Sequence, residues 1–211
     1  MQQRDAEKSK LRILAAAESE FAGKGFFGAR VDVIAANAHI NKRMIYAYFG
    51  DKEGLYQQVL TQVYRRMEDV ERELVARQYS GKQLIREIIS AYFDFLEANP
   101  AFVSILMWEN LNQGRYLKEM ESSRIERSTI RYFVDALERG RQDGTFYEGI
   151  DPWHTALSMI TTCYANFSNR HTLSKLFRAD LADKDMIERR KQHTIELVLA
   201  YLCRAAEEDK K

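Results

Sequence analysis

The chain holds 211 residues, the length of one or two domains. Hydrophobic residues make up 45% and charged residues 30%, enough for a core and for a solvated surface. Lys and Arg number 32 against 31 Asp and Glu, a net charge of +1, which excludes a uniformly basic coat or an acidic tail but not a local basic face. With only 2 Pro and 10 Gly, long helices are favoured over many short strands. Cys163 and Cys203 lie far apart, so no disulfide framework or CxxC site is on offer, and a reducing, cytoplasmic setting fits. The first residues lack the apolar core of a secretory signal, and the apolar run Phe102 to Trp108 is far short of a membrane span.

Gly and Pro cut the chain into helix-sized pieces. Residues 9–24 carry Leu11, Leu14, Ala17 and Phe21, spaced 3, 3 and 4, as one apolar stripe. Gly25 and Gly28 mark a turn. Short helices are predicted over 31–38 and 42–48, and a longer one from Asp51 to Arg77. Further helices are expected over 82–98, 101–112, 115–139, 153–171 and 183–207. Asn99-Pro100 stops the first of these, and Asp151-Pro152 supplies an N-cap and a proline at the first helical position of the fourth. The expected fold is all-α. Three helices within residues 1–55 lead into a C-terminal helical bundle (56–211). The helix from Asp51 joins the two and couples their motions.

Residues 30–55 carry the chemistry. Two short helices meet at a tight turn, Ala38-His39-Ile40-Asn41, with Asn41 as N-cap of the second. Ile45 and Phe49 point inward toward Ile34. Arg43 and Ala47 point outward, flanked by Met44 and Tyr46. Lys42 and Arg43 open one helix and Lys52 opens the next, although cations at a helix N-terminus are disfavoured by up to about 1 kcal/mol. An external anion reverses the sign of that cost, because backbone N–H groups and a Lys together make a phosphate site. This arrangement suits a helix-turn-helix, over about 31–49, whose second helix enters a major groove.

The stretch resembles the TetR family of bacterial transcriptional regulators. The resemblance rests on Ile13 to Ala17, Phe21, Lys24-Gly25-Phe26, Val31, Ile34-Ala35, Ala38, Ile40-Asn41-Lys42, Ile45-Tyr46, Tyr48-Phe49, Lys52-Glu53 and Leu55. It spans about residues 9–60; the rest matches as a bundle of suitable length. It implies a homodimeric DNA-binding regulator with a ligand-responsive C-terminal domain. By position, Lys42 and Arg43 open the recognition helix. Met44 and Ala47 fall where bases are contacted, and Tyr46 and Lys52 where phosphates are met. Tyr48 stands where His or Tyr is usual. Arg30 stands where Thr is usual, as a backbone or minor-groove contact. The chain departs from the family pattern at His39, where Gly is usual and a left-handed φ is expected. It departs again at Ala47, which limits readout there to apolar contact with a thymine methyl. Arg4, Lys8, Lys10 and Arg12 offer further phosphate contacts, offset by Asp5 and Glu7.

Trp153, Leu157, Ile160, Tyr164, Phe167 and His171 form a heptad-like seam on the penultimate helix. On the last helix Ile195, Val198, Leu202 and Ala205 form one stripe and Leu197 and Tyr201 a second. A purely intrachain core is the plain reading. With the resemblance, helices 153–171 and 183–207 of two chains build a four-helix dimer interface. A dimer sets two recognition helices about 34–36 Å apart over a palindromic operator in double-stranded DNA. Large side chains among the middle helices suggest a cavity for a small-molecule effector. The candidate lining is Phe102, Trp108, Glu109, Asn110, Tyr132, Cys163, Asn166 and Phe167, with His154 and His171 nearby.

The chain has no HExxH, P-loop, GxSxG, GxGxxG or repeated ExxH pattern, and its four His are scattered, so neither enzyme chemistry nor a metal or cofactor is expected. The expected function is a sequence-specific transcriptional regulator, a repressor released by an effector. The alternative is a helical adaptor, or a constitutive DNA-binding protein, that acts through protein contacts.

Overall fold

A computed structural model describes residues 2–119 and 128–204. The described residues form eleven helices and no strand: α1 (Gln2–Gly28), α2 (Val31–Asn37), α3 (Lys42–Phe49), α4 (Lys52–Ala76), α5 (Gly81–Ala98), α6 (Pro100–Leu111), α7 (Arg115–Glu119), α8 (Ser128–Gln142), α9 (Pro152–Ser168), α10 (Arg170–Phe177) and α11 (Lys184–Leu202). They divide into two compact units, Met1–Arg66 with Asn99–Glu126, and Met67–Ala98 with Arg127–Lys211. The division does not follow the 55/56 boundary expected from the sequence. Residues 52–66 of α4, with α6 and α7, belong to the first unit.

In the first unit Ile13, Ala17 and Phe21 of α1 are buried with Ile34, Ile45, Leu55 and Tyr56. The stripe expected on α1 is therefore rotated. Leu11 is 60% exposed, and the inward positions run 13, 17, 21 at one spacing of four. Helix α1 continues to Gly28 through a kink at Gly25, where φ is +67°. The bare glycine receives the Trp108 ring of α6, and a Cβ there would lie 2.7 Å from Trp108 Cδ2. The Trp108 indole N–H donates to the Ala22 carbonyl at 3.2 Å. Phe26 and Tyr116 rings meet at 4.4 Å, and Tyr56 and Tyr116 at 5.1 Å, so an aromatic cluster joins α1, α4 and α7.

The second unit is built on α5, which buries Leu84, Ile85, Ile88, Ile89, Tyr92, Phe93, Phe95 and Leu96. Helices α8, α9 and α11 pack on or beside it. The helix expected over 115–139 is described only as α7 and α8, its middle lying outside the described residues. The helix expected over 153–171 ends at Ser168, where Asn169 leaves helical geometry, and α10 follows to a left-handed Arg178. His171 therefore sits on α10, off the seam of α9. The helix expected over 183–207 runs from Lys184 to Leu202, and Ala205 lies outside the described residues.

Candidate DNA-binding surface

The turn between α2 and α3 is closed by backbone bonds from Ala38 N–H to Ile34 O and from Ile40 N–H to Ala35 O. His39 adopts φ +52°, the left-handed conformation expected where the family usually has glycine. Asn41 caps α3 as expected, its side chain accepting from Arg43 N–H at 2.9 Å. Buried Ile34 and Ile45 then lock α3 onto α2. That fixes which face of α3 is free. Lys42, Arg43, Met44, Tyr46 and Ala47 are all exposed, while Tyr48 and Phe49 are half-buried. The free face carries two cations, a thioether and a phenol, groups that reach phosphates and base edges.

The cations are held in different ways. Lys42 Nζ lies 5.9 Å from the Tyr46 ring centroid, and Lys10 Nζ of α1 lies 5.7 Å from that of Tyr48. Arg43 makes no ion pair among the described residues. Lys52 has partners that its place in the sequence did not reveal. Its ammonium sits 4.9 Å over the Phe26 ring and 3.4 Å from the Phe27 carbonyl, and burial lowers its pKa. These contacts offset part of the cost of a cation at a helix start. Asp51 caps the same helix through Gly54 N–H at 2.8 Å.

Arg30 closes the start of α2. Its backbone N–H donates to Glu20 Oε1 at 3.2 Å, and Glu20 is 8% exposed and paired with Lys24 at 2.9 Å. Its guanidinium pairs with Asp32, which spacing along the sequence did not single out. In the arm, Lys10 pairs with Glu7 at 3.1 Å, Lys8 and Arg12 are exposed, and the Arg4 side chain is outside the described set.

The candidate ligand residues fall in both units. In the first, Phe102 is buried and Trp108 half-buried. Glu109 accepts from Tyr56 Oη at 2.9 Å and from Leu117 N–H at 3.3 Å, and Asn110 is exposed and donates to Leu106 O at 3.0 Å. In the second, Tyr132 is half-buried and Phe167 stacks edge-on against Phe93 at 5.6 Å. Asn166 accepts from Arg190 Nε at 3.0 Å. Cys163 is buried, which pushes its thiol pKa up to about 12, and borders a void among Ile88, Tyr92, Phe133 and Met159 too narrow for water. An open cleft of about 350 Å³ in that unit also meets Met159 and is lined by His154, Thr155, Leu197, Val198 and Tyr201.

Of the expected dimer seam, Trp153 and Leu157 on α9 and Leu197 and Tyr201 on α11 are 41–56% exposed. Phe167, Ile195 and Leu202 are buried in their own unit, Ile160, Tyr164 and Val198 are half-buried, and His171 is exposed. No helix of the described chain is long and apolar enough to cross a membrane.

Residues 13–59 match the profile described as "Bacterial regulatory proteins, tetR family", and residues 82–198 match "Tetracyclin repressor-like, C-terminal domain". The chain is 36% identical over 180 residues to the HTH-type transcriptional repressor NicS of Pseudomonas putida, covering 85% of each chain. It is 34% identical over 150 residues to the HTH-type transcriptional repressor SCO4008 of Streptomyces coelicolor, covering 71% of this chain and 73% of that one. Its fold is shared with the transcriptional regulator FadR from Bacillus subtilis, solved in complex with stearoyl-CoA, at a TM-score of 0.70 and 20% identity over 91% of this chain and 98% of the other. Together with a capped helix-turn-helix that leaves a basic face open, these matches assign the chain to the TetR family of bacterial transcriptional regulators.

Proposed function

We propose that the protein is a homodimeric repressor that sets α3 of each protomer into the major groove of a palindromic operator and is released by a small-molecule effector. One observation carries this reading: Ile45 is fully buried while Lys42, Arg43, Met44, Tyr46 and Ala47 on the same eight-residue helix are exposed. Arg43, Met44 and Ala47 meet base edges, and Lys42, Tyr46, Tyr48 and Lys52 meet phosphates, with Arg30 beside them. Backbone N–H groups at the starts of α3 and α4 add to the attraction for the phosphate chain.

The dimer forms through the exposed apolar side chains of α9 and α11, Trp153, Leu157, Leu197 and Tyr201. Repression is supported by the names of the NicS and SCO4008 relatives. Release by an effector is supported by a protein of this fold that holds a ligand. The effector site is taken to lie among α5, α8 and α9, where the void beside Cys163 must widen to admit a molecule. Such a ligand shifts the operator equilibrium only by its differential affinity for the two arrangements. The working compartment is the cytoplasm.

Selection of duplexes from a randomised library by the purified protein tests the reading. The expected product is a palindrome whose half-sites lie about one helical turn, or a multiple of it, apart. Recovery of no enriched sequence contradicts it.

A further inference from the structure

We propose that Arg30 and Asp32 act as one base-reading device, in which Asp32 orients the Arg30 guanidinium so that its free edge takes a guanine in each half-site. The inference rests on the DNA-binding reading above and deepens it.

The geometry is a two-point clasp. Arg30 Nε donates to Asp32 Oδ1 at 3.2 Å and Arg30 Nη2 donates to Asp32 Oδ2 at 2.7 Å. This uses the side edge of the guanidinium. The end edge, Nη1 and the second proton of Nη2, keeps its donors, and two parallel donors match guanine O6 and N7 in the major groove. Both side chains are open, at 69% and 50% exposure. Arg30 is fixed at its root as well, where its backbone N–H meets the buried Glu20 carboxylate at 3.2 Å.

The pair lies at the recognition helix. Asp32 is held below the ordinary carboxyl range by its hydrogen bonds with Arg30, and the charge of Lys42, the first residue of α3, adds to that effect. Asp32 is exposed in the first turn of α2, the helix that packs against α3.

Plainer roles for Asp32 leave the clasp unexplained. A carboxylate repels the phosphate chain, so it weakens backbone binding. In the first turn of α2 it suits the helix dipole, and its exposed ion pair stabilises the fold little, but neither role needs both oxygens on one guanidinium. Base reading gains from it, because a guanidinium already held in place loses less freedom when it docks. A backbone or minor-groove contact by Arg30 alone, the role the family position suggests, needs no such clasp.

The test compares the base preferences of wild type, Asp32→Asn, Asp32→Ala and Arg30→Ala. Each selects duplexes from a randomised library, then binds the wild-type consensus and its single base-pair variants at two salt concentrations. The wild type is expected to demand one G·C pair per half-site. Both Asp32 variants should lose preference there by about tenfold or more, with other positions unchanged. Their affinity for duplex lacking the site should stay equal or rise, since a negative charge has gone. Arg30→Ala should lose preference at the same position. Unchanged preferences in the variants, or an equal loss on every sequence, overturn the inference and leave the DNA reading standing. A wild-type protein that selects no duplex overturns the DNA reading, and this inference with it.

Discussion

The Tyr56 hydroxyl donates a 2.9 Å hydrogen bond to the Glu109 carboxylate, 53 residues further along the chain. Glu109 is 2% exposed, and its second oxygen accepts from Leu117 N–H at 3.3 Å. Within the first unit the bond ties the start of α4, just after the recognition helix, to α6 and α7. Tyr56→Phe leaves a buried acceptor short of a donor and should cost about 1–3 kcal/mol, read by denaturant unfolding. A cost near zero would mean that the pair does not bear on stability.

The same pair sets a pH dependence. Burial, then the adjacent Glu109 charge, raises the Tyr56 pKa above its ordinary 10.0. The folded state therefore holds a proton that the unfolded state releases above that pH. Stability from this group is full below pH 10 and falls as pH rises beyond it. Tyr56→Phe should flatten the alkaline slope by about 1.4 kcal/mol per pH unit, leaving the contributions of Cys163 and Tyr164, both pushed up to about 12 by burial. An identical slope in the variant would contradict the assignment.

His39 at φ +52° stores strain that glycine would not. His39→Gly should raise stability by up to about 1 kcal/mol, because the exposed imidazole makes no hydrogen bond or ion pair among the described residues that its removal would lose. A loss of stability in thermal melts would show that the side chain contributes more than it strains.

Leu157 on α9 and Leu197 on α11 are 45% and 56% exposed. Leu157→Glu with Leu197→Glu should therefore spare the protomer's own core yet break the dimer. Light scattering should report a monomer with unchanged helical circular dichroism, and operator affinity should fall by at least tenfold. A double variant that stays dimeric moves the interface elsewhere.

Much of this was legible in the chain. The alternation of buried Ile34 and Ile45 with exposed Arg43 and Ala47 follows from helical spacing, and the Asn41 cap from residue type. Even the left-handed turn residue could be read from His39 standing where glycine is usual. What could not be read depends on partners distant in sequence. Leu11 looks like a core residue by spacing, but the packing of α1 rotates its buried face to Ile13. Lys52 looks like a bare cation, but the kink at Gly25 allows Phe26 and Phe27 to approach it. Glu109 looks like a polar pocket residue, and Tyr56 and Leu117 make it structural. Phe167 fits a heptad seam and instead packs on Phe93.

The central claim is that cations at the starts of α3 and α4 dock a polyanion. Titration of the selected operator with wild type and with Arg43→Ala plus Lys52→Ala, across a salt series, tests it most directly. Wild-type affinity should fall steeply with salt. The double variant should bind the operator at least tenfold more weakly, show a salt slope shallower by about one per protomer as Lys52 leaves the phosphate chain, and remain a dimer. A double variant that binds with the wild-type affinity and salt slope would contradict the account.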